Sequence, residues 1–172
     1  MEELLTRGPM HIIYPDEEYP RRADSIARLA RYLQVDKDEL ALMRGVSEGF
    51  QTVLRGIDWK PGDRIVISDD EEAALLLASL SLRDRCGVEV VKLPLEEDEA
   101  ALLAAAAAAL SPNTRLMALS HVTTDMGFRY PAALLCALAR DRGIASFLDL
   151  AHSTGVVPYG LRDLGCDYAG LL

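Results

Sequence analysis

Apolar residues recur along this chain with two different periods, and the alternation between them is the first thing the sequence establishes. From Arg21 to Leu33 the positions Ile26, Leu29, Ala30 and Leu33 fall on one face of a helix. The segment "LALMRGVSEGFQTVLRG" moves from a short apolar run through Gly45 and Ser47 into a second helix, with Phe50, Val53 and Leu54 on one side. After the turn "WKPGD" the rhythm becomes regular: strand "RIVIS", helix "EEAALLLASLSLRDRCG", strand "VEVVKL", helix "EDEAALLAAAAAAL". It continues with strand "RLMALS", helix "PAALLCALARDRG", strand "IASFLD" and a final strand within "DYAGLL". Strands apolar on both faces and separated by helices predict an α/β fold, a mostly parallel sheet covered by helices on both faces. The first twenty residues, with Pro9, Pro15 and Pro20, read as an extended arm, which leaves residues 21–172 for the domain.

Composition narrows the class. The chain has 172 residues, half of them apolar, and a net charge of −9, with no cluster of Lys and Arg to meet nucleic acid. The run "ALLAAAAAAL" is too short and too rich in alanine for a membrane span. Cys86, Cys136 and Cys166 are widely spaced and include no CxxC pair, which suits reduced thiols in the cytoplasm. No GxGxxG or Walker A pattern supports a nucleotide-binding reading, and no metal site is expected.

In a parallel sheet, ligands sit beyond the carboxyl ends of the strands. Three segments there carry suitable chemistry. "RGVSEG" opens a helix whose N–H groups suit a phosphate, although Ser47 serves equally as an N-cap. "SHVTTDMG" offers His121, Thr123, Thr124 and Asp125, or simply a turn. "FLDLAHSTGVVPYG" puts Asp149 and His152 three residues apart, the acid suited to binding Mg²⁺, orienting a base or capping a helix.

Taken in order, "RGVSEGFQTVL", "LSHVTTDMGFRYP", "FLDLAHSTGVVP" and "LGCDYAG" resemble the large domain of the class V aminotransferase family, from Arg21 to Leu172. That family depends on pyridoxal phosphate (PLP) and includes cysteine desulfurases and isopenicillin N epimerase-like enzymes. The resemblance implies the PLP-dependent transferase fold, of the aspartate aminotransferase type, here in truncated form. It implies an amino-acid substrate for the complete enzyme, and a homodimer or a complementing C-terminal chain as partner. It assigns Asp149 to the ring nitrogen, His152 and Thr124 to the phenolic oxygen, and Val46 and Ser47 to the phosphate. A carboxylate beside the ring nitrogen would keep that nitrogen protonated, the state in which PLP draws electrons.

Two departures accompany the match. Glu72 stands where the family stacks a His or an aromatic residue on the ring. The Schiff-base lysine is expected a few residues after "CDYAG", beyond Leu172, and none of Lys37, Lys60 or Lys92 lies in a matching place. No residue of this chain is therefore assigned as catalytic, and the family's small domain is expected to be absent. The sequence predicts a part of a PLP enzyme that is inactive alone, or else a non-catalytic relative or partner subunit of a full-length one.

Overall fold

A computed structural model describes residues 5, 6, 8 and 15–171, with the side chains of residues 15–20 left out. More than half of the expected arm, residues 1–20, thus lies outside the described residues. The chain forms two compact units, residues 1–42 and residues 43–172. In the first, helix α1 spans Pro15–Leu33. It starts six residues before the predicted Arg21, so the extended arm does not reach residue 20, and the unit boundary falls after residue 42 instead. Pro15 stands at the helix start, where its missing N–H costs nothing. Gln34 adopts a left-handed conformation (φ 59°) that closes the helix, and Val35 N–H turns back to the Ala30 carbonyl at 3.0 Å.

The second unit carries five strands: β1 (Arg64–Ser68), β2 (Glu89–Leu93), β3 (Thr114–Ser120), β4 (Ala145–Asp149) and β5 (Tyr168–Gly170). They pair in parallel in the order β2-β1-β3-β4-β5. The helices are α2 (Val46–Gly56), α3 (Ala73–Cys86), α4 (Glu99–Ala109), α5 (Ala132–Asp141) and the single turn α6 (Leu161–Leu164). The predicted α/β class and each predicted strand are therefore present.

The two-residue period of the strands divides the core. Ile65, Ile67, Leu116, Ala118 and Phe147 face α2 and α3, where they meet Val46, Phe50, Leu54, Leu75 and Ala78. The alternate residues Val66, Met117, Leu119 and Leu148 face α4 and α5, against Leu102, Ala106, Leu135, Cys136 and Ala139. Phe50 and Phe147 pack at 5.0 Å between ring centroids with their planes tilted by 53°. That central pair anchors α2 on the sheet. Burial on both faces is why β1, β3 and β4 read as unbroken apolar runs.

The chain steps from β1 to β2 through α3 on one face and from β3 to β4 through α5 on the other. The two paths diverge between β1 and β3. A crevice at such a divergence is the usual ligand site of an open parallel sheet.

Candidate functional site

Strand register brings the acid of interest to this crevice. Asp149 ends β4, beside Ser120 at the end of β3 and Gly170 at the end of β5. Its side chain shares the parity of Phe147, so it emerges on the face covered by α2 and α3. Asp149 is 6% exposed, and its Oδ1 accepts the Ala151 N–H at 2.9 Å. Among the described residues nothing donates to its other oxygen. Burial raises its pKa above the ordinary carboxylate value; the Ala151 N–H and the nearby His152 pull it down, and Glu72 pushes it up. A buried acid held this way is stabilised in its charged form by any cation that approaches.

The phosphate-turn candidate lies against the same strand ends. A Cβ built on Gly170 would come 2.8 Å from Val46 Cγ1 and 3.1 Å from Phe147 Cζ, so β5 and the start of α2 meet backbone to side chain. Gly170 pairs with Asp149 across the sheet. The turn and the acid are thus neighbours on one side of the sheet. The N-cap of α2 is Gly45, and Ser47 lies in the first helical turn with an exposed side chain, so the N-cap role considered for Ser47 belongs to Gly45. Glu48 reaches back to Arg44 N–H at 2.8 Å, and the first in-helix bonds are those of Glu48 and Gly49 N–H to the Gly45 carbonyl. The N–H groups of Val46 and Ser47 and the Ser47 hydroxyl accordingly find no acceptor among the described residues. Together they form an anion-seeking helix terminus.

Thr124 and His152 also meet, Oγ1 to Nδ1 at 3.4 Å, both exposed to solvent. Their elements are joined by His121 N–H, which donates to the Asp149 carbonyl at 2.9 Å. The segment after β3 folds back on itself through a bridge between Val122 and Arg129, with Thr123 Oγ1 accepting Phe128 N–H. His121 and Thr123 are buried structural members, and Asp125 is exposed. The His121 imidazole lines a separate cleft of about 530 Å³, with Glu96, Arg129 and Tyr130, on the α4–α5 face. Its Nδ1 has no partner among the described residues, and burial, then Arg129, lower its pKa.

Glu72 is the N-cap of α3, its carboxylate accepting Ala74 N–H. The helix therefore begins at Ala73, two residues after the start of the predicted run. In the sequence Asp69 to Glu72 form one acidic run, and the fold divides its members. Asp69 pairs with Lys92 Nζ at 3.0 Å, Asp70 accepts Met126 N–H at 3.0 Å, and Glu71 turns inward to Ser120. The signal was faint: a Ser closing each of two adjacent strands, Ser68 and Ser120, next to a surplus of carboxylates.

A buried acid, an anion-seeking helix start and a Thr–His pair lie around one strand-end crevice of this α/β domain. The model of the family "Aminotransferase class-V" matches residues 23–170. The chain belongs to that family. It is 38% identical over 146 residues to isopenicillin N epimerase of Streptomyces clavuligerus, covering 83% of this chain and 37% of that protein. It is 31% identical over 134 residues to a cysteine desulfurase of Klebsiella pneumoniae, covering 76% of this chain and 33% of that protein. Among solved structures, the cystine C-S lyase C-DES in complex with its reaction product cysteine persulfide superimposes with a TM-score of 0.86 at 28% identity. That match covers 99% of this chain and 46% of the lyase. A lysine-to-alanine variant of the same lyase, with glycine covalently linked to its PLP cofactor, gives a TM-score of 0.85 at 28% identity. The chain spans about a third of the length of these curated relatives.

Proposed function

We propose that this chain supplies the cofactor-binding half of a PLP-dependent enzyme acting on an amino acid, of the epimerase, lyase, desulfurase or aminotransferase type. The observation that carries this reading is the adjacency of Asp149 and the α2 terminus, joined through Gly170. Asp149 would hold the ring nitrogen with its unpaired oxygen. Thr124 and His152 would face the phenolic oxygen, and the Val46 and Ser47 N–H groups with the Ser47 hydroxyl would take the phosphate. When bound, PLP supplies an electron sink that acidifies the α-carbon of an amino acid. The chain's own residues bind and orient: Asp149 favours a protonated ring, and the first turn of α2 balances the phosphate charge.

No lysine of this chain is placed to attach the cofactor. Lys92 is engaged with Asp69 at the β2 edge, Lys60 lies in the turn at the amino end of β1, and Lys37 lies in the 37–39 turn of the other unit. The chain as it stands would therefore bind PLP reversibly and lack activity. A second chain or segment would supply the lysine and complete the substrate pocket, in a homodimer or a complementing pair. The chain's three free cysteines, with burial raising the thiol pKa of Cys136 to about 12 and of Cys166 to about 11, suit the cytoplasm. A non-catalytic relative or partner subunit is the second reading, favoured by Glu72, which brings a carboxylate to the place of a stacking ring.

Equilibrium dialysis of the 172-residue chain against PLP, with borohydride treatment of the complex, tests the first reading. Expected are saturable binding that inorganic phosphate weakens and no reduced adduct on any lysine. Absence of saturable binding, or a specific adduct on Lys37, Lys60 or Lys92, would remove it.

A further inference from the structure

Glu71 is the one member of the 69–72 acidic run that points into the protein. Its Oε1 accepts the Ser120 hydroxyl, and the Glu72 N–H at 3.1 Å. Its Oε2 accepts Ser120 N–H at 3.2 Å and, more weakly, Ser68 N–H at 3.4 Å. Four donors thus converge on two oxygens, which is the full acceptor capacity of an ionised carboxylate and one more than a protonated acid offers comfortably. Three of the four donors come from the ends of β1 and β3, the two strands flanking the point where the chain paths diverge, and the fourth from Glu72. Ser120 pairs in turn with Asp149. Next to it, Asp70 N–H donates to Ser68 Oγ at 3.1 Å; Ser68 Oγ meets Tyr130 Oη at 3.0 Å, and Tyr130 Oη donates to the Leu93 carbonyl at 3.2 Å. The carboxyl ends of β2, β1, β3 and β4 are therefore connected through this one cluster.

We propose that Glu71 is a positioning residue, an ionised brace that joins the ends of β1 and β3 and thereby sets Asp149 and Glu72 at the cofactor crevice. The inference deepens the function proposed above, because the crevice it braces is the one assigned to PLP. Burial opposes the brace, raising the Glu71 pKa to about 7 against the pull of the Ser120 and backbone donors. The titratable groups that face it are Asp69, Asp70 and Glu72 of its own segment, Asp149 at the end of β4, and Tyr130, which senses Glu71 from just before α5. Lys92 on β2 is held by Asp69. Near neutral pH the brace therefore stands close to its point of protonation. Losing one acceptor site there releases Ser120 or Ser68.

The test is an NMR titration of the labelled 172-residue chain between pH 5 and 9. It follows the Glu71 carboxyl carbon and the amides of Ser68, Ser120 and Ala151, the last reporting on Asp149 Oδ1. The Ser68 and Ser120 amides are expected to move with the Glu71 midpoint, near pH 7, and the Ala151 amide to show a step at that same midpoint. Glu71→Gln, which keeps the size and removes the charge, should abolish the shared step and weaken PLP binding at pH 8 at least tenfold. Ser120→Ala, which removes a donor that lowers the Glu71 pKa, should move the midpoint upward. Ser120 amides indifferent to Glu71, an Ala151 amide that does not follow, or an unmoved midpoint in Ser120→Ala would each overturn the brace. If the wild-type chain takes up no PLP, the function proposed above falls, while the amide titrations still decide the brace. Should Glu71→Gln fail to fold, the wild-type and Ser120→Ala titrations decide it alone.

Discussion

Burial is the main cause of the raised Asp149 pKa, and the charge of Glu72 adds a smaller repulsion at the crevice. A bound pyridinium would sit near both and relieve it. Asp149→Asn keeps the shape of the side chain and removes the charge. Hydrogen bonds to charged groups are worth about 1.5–3 kcal/mol, so PLP affinity should fall roughly ten- to a hundredfold on dialysis, with the circular dichroism of the chain unchanged. Glu72→His removes the repulsion and restores a ring at the stacking position. It should tighten PLP binding and lower the Asp149 pKa, the latter readable from its carboxyl carbon by NMR. The imidazole would also have to replace the cap on Ala74 N–H, and a loss of about 1 kcal/mol of stability should accompany the gain. The place of Asp149 at a strand end was legible in the sequence because an acid that closes an apolar run is conspicuous. Glu71 was not, because four carboxylates in a row look alike until the fold decides which one turns inward.

At the scale of elements, α2 and β5 depend on each other. Gly170 leaves room for Val46, and Phe50 stacks on Phe147 behind them. In Gly170→Ala the new methyl meets Val46 Cγ1 at 2.8 Å and Phe147 at 3.1 Å, so the start of α2 must move away from the strand ends. Overpacking of this kind costs about 1–3 kcal/mol. Urea denaturation should show that loss, and phosphate competition against PLP should weaken with it. Phe50→Ala instead opens a cavity at a fully buried site, and a loss of about 3–5 kcal/mol is expected in the same assay. Strands and helices were predictable here because the alternation of periods is clean. The start of α1 was not, since Pro15 and Pro20 argued for extended chain while the residues after them supported a helix. The cap of α2 was misread for a related reason: Ser47 is the better capping residue by type, but Gly45 occupies the cap.

For the whole molecule the buried titrating groups set how stability changes with pH. Glu71 carries a pKa raised from 4.5 to about 7, and that of Asp149 is raised as well. Between pH 4.5 and 7 the unfolded chain releases the Glu71 proton while the folded chain keeps it. Its contribution is therefore greatest below pH 4.5 and is lost as pH rises to 7, by up to about 3 kcal/mol, and the raised pKa of Asp149 acts in the same direction. His121 acts oppositely: its lowered pKa means that stability is lost as pH falls below 6.5. Denaturant midpoints at pH 5, 6, 7 and 8 should show a smaller fall in Glu71→Gln than in the wild-type chain. The overall architecture was legible from the periodicity, and the family from four ordered segments. The crevice geometry was not, because it depends on register between strands, which no single segment encodes.

Gly170 lies more than a hundred residues downstream of the turn that it supports. A ribosome delivers Val46 and Ser47 long before the strand that props them, so a nascent chain carries an anion grip with nothing behind it. Capture of phosphate in the finished geometry must wait until the far end of this unit has emerged and paired.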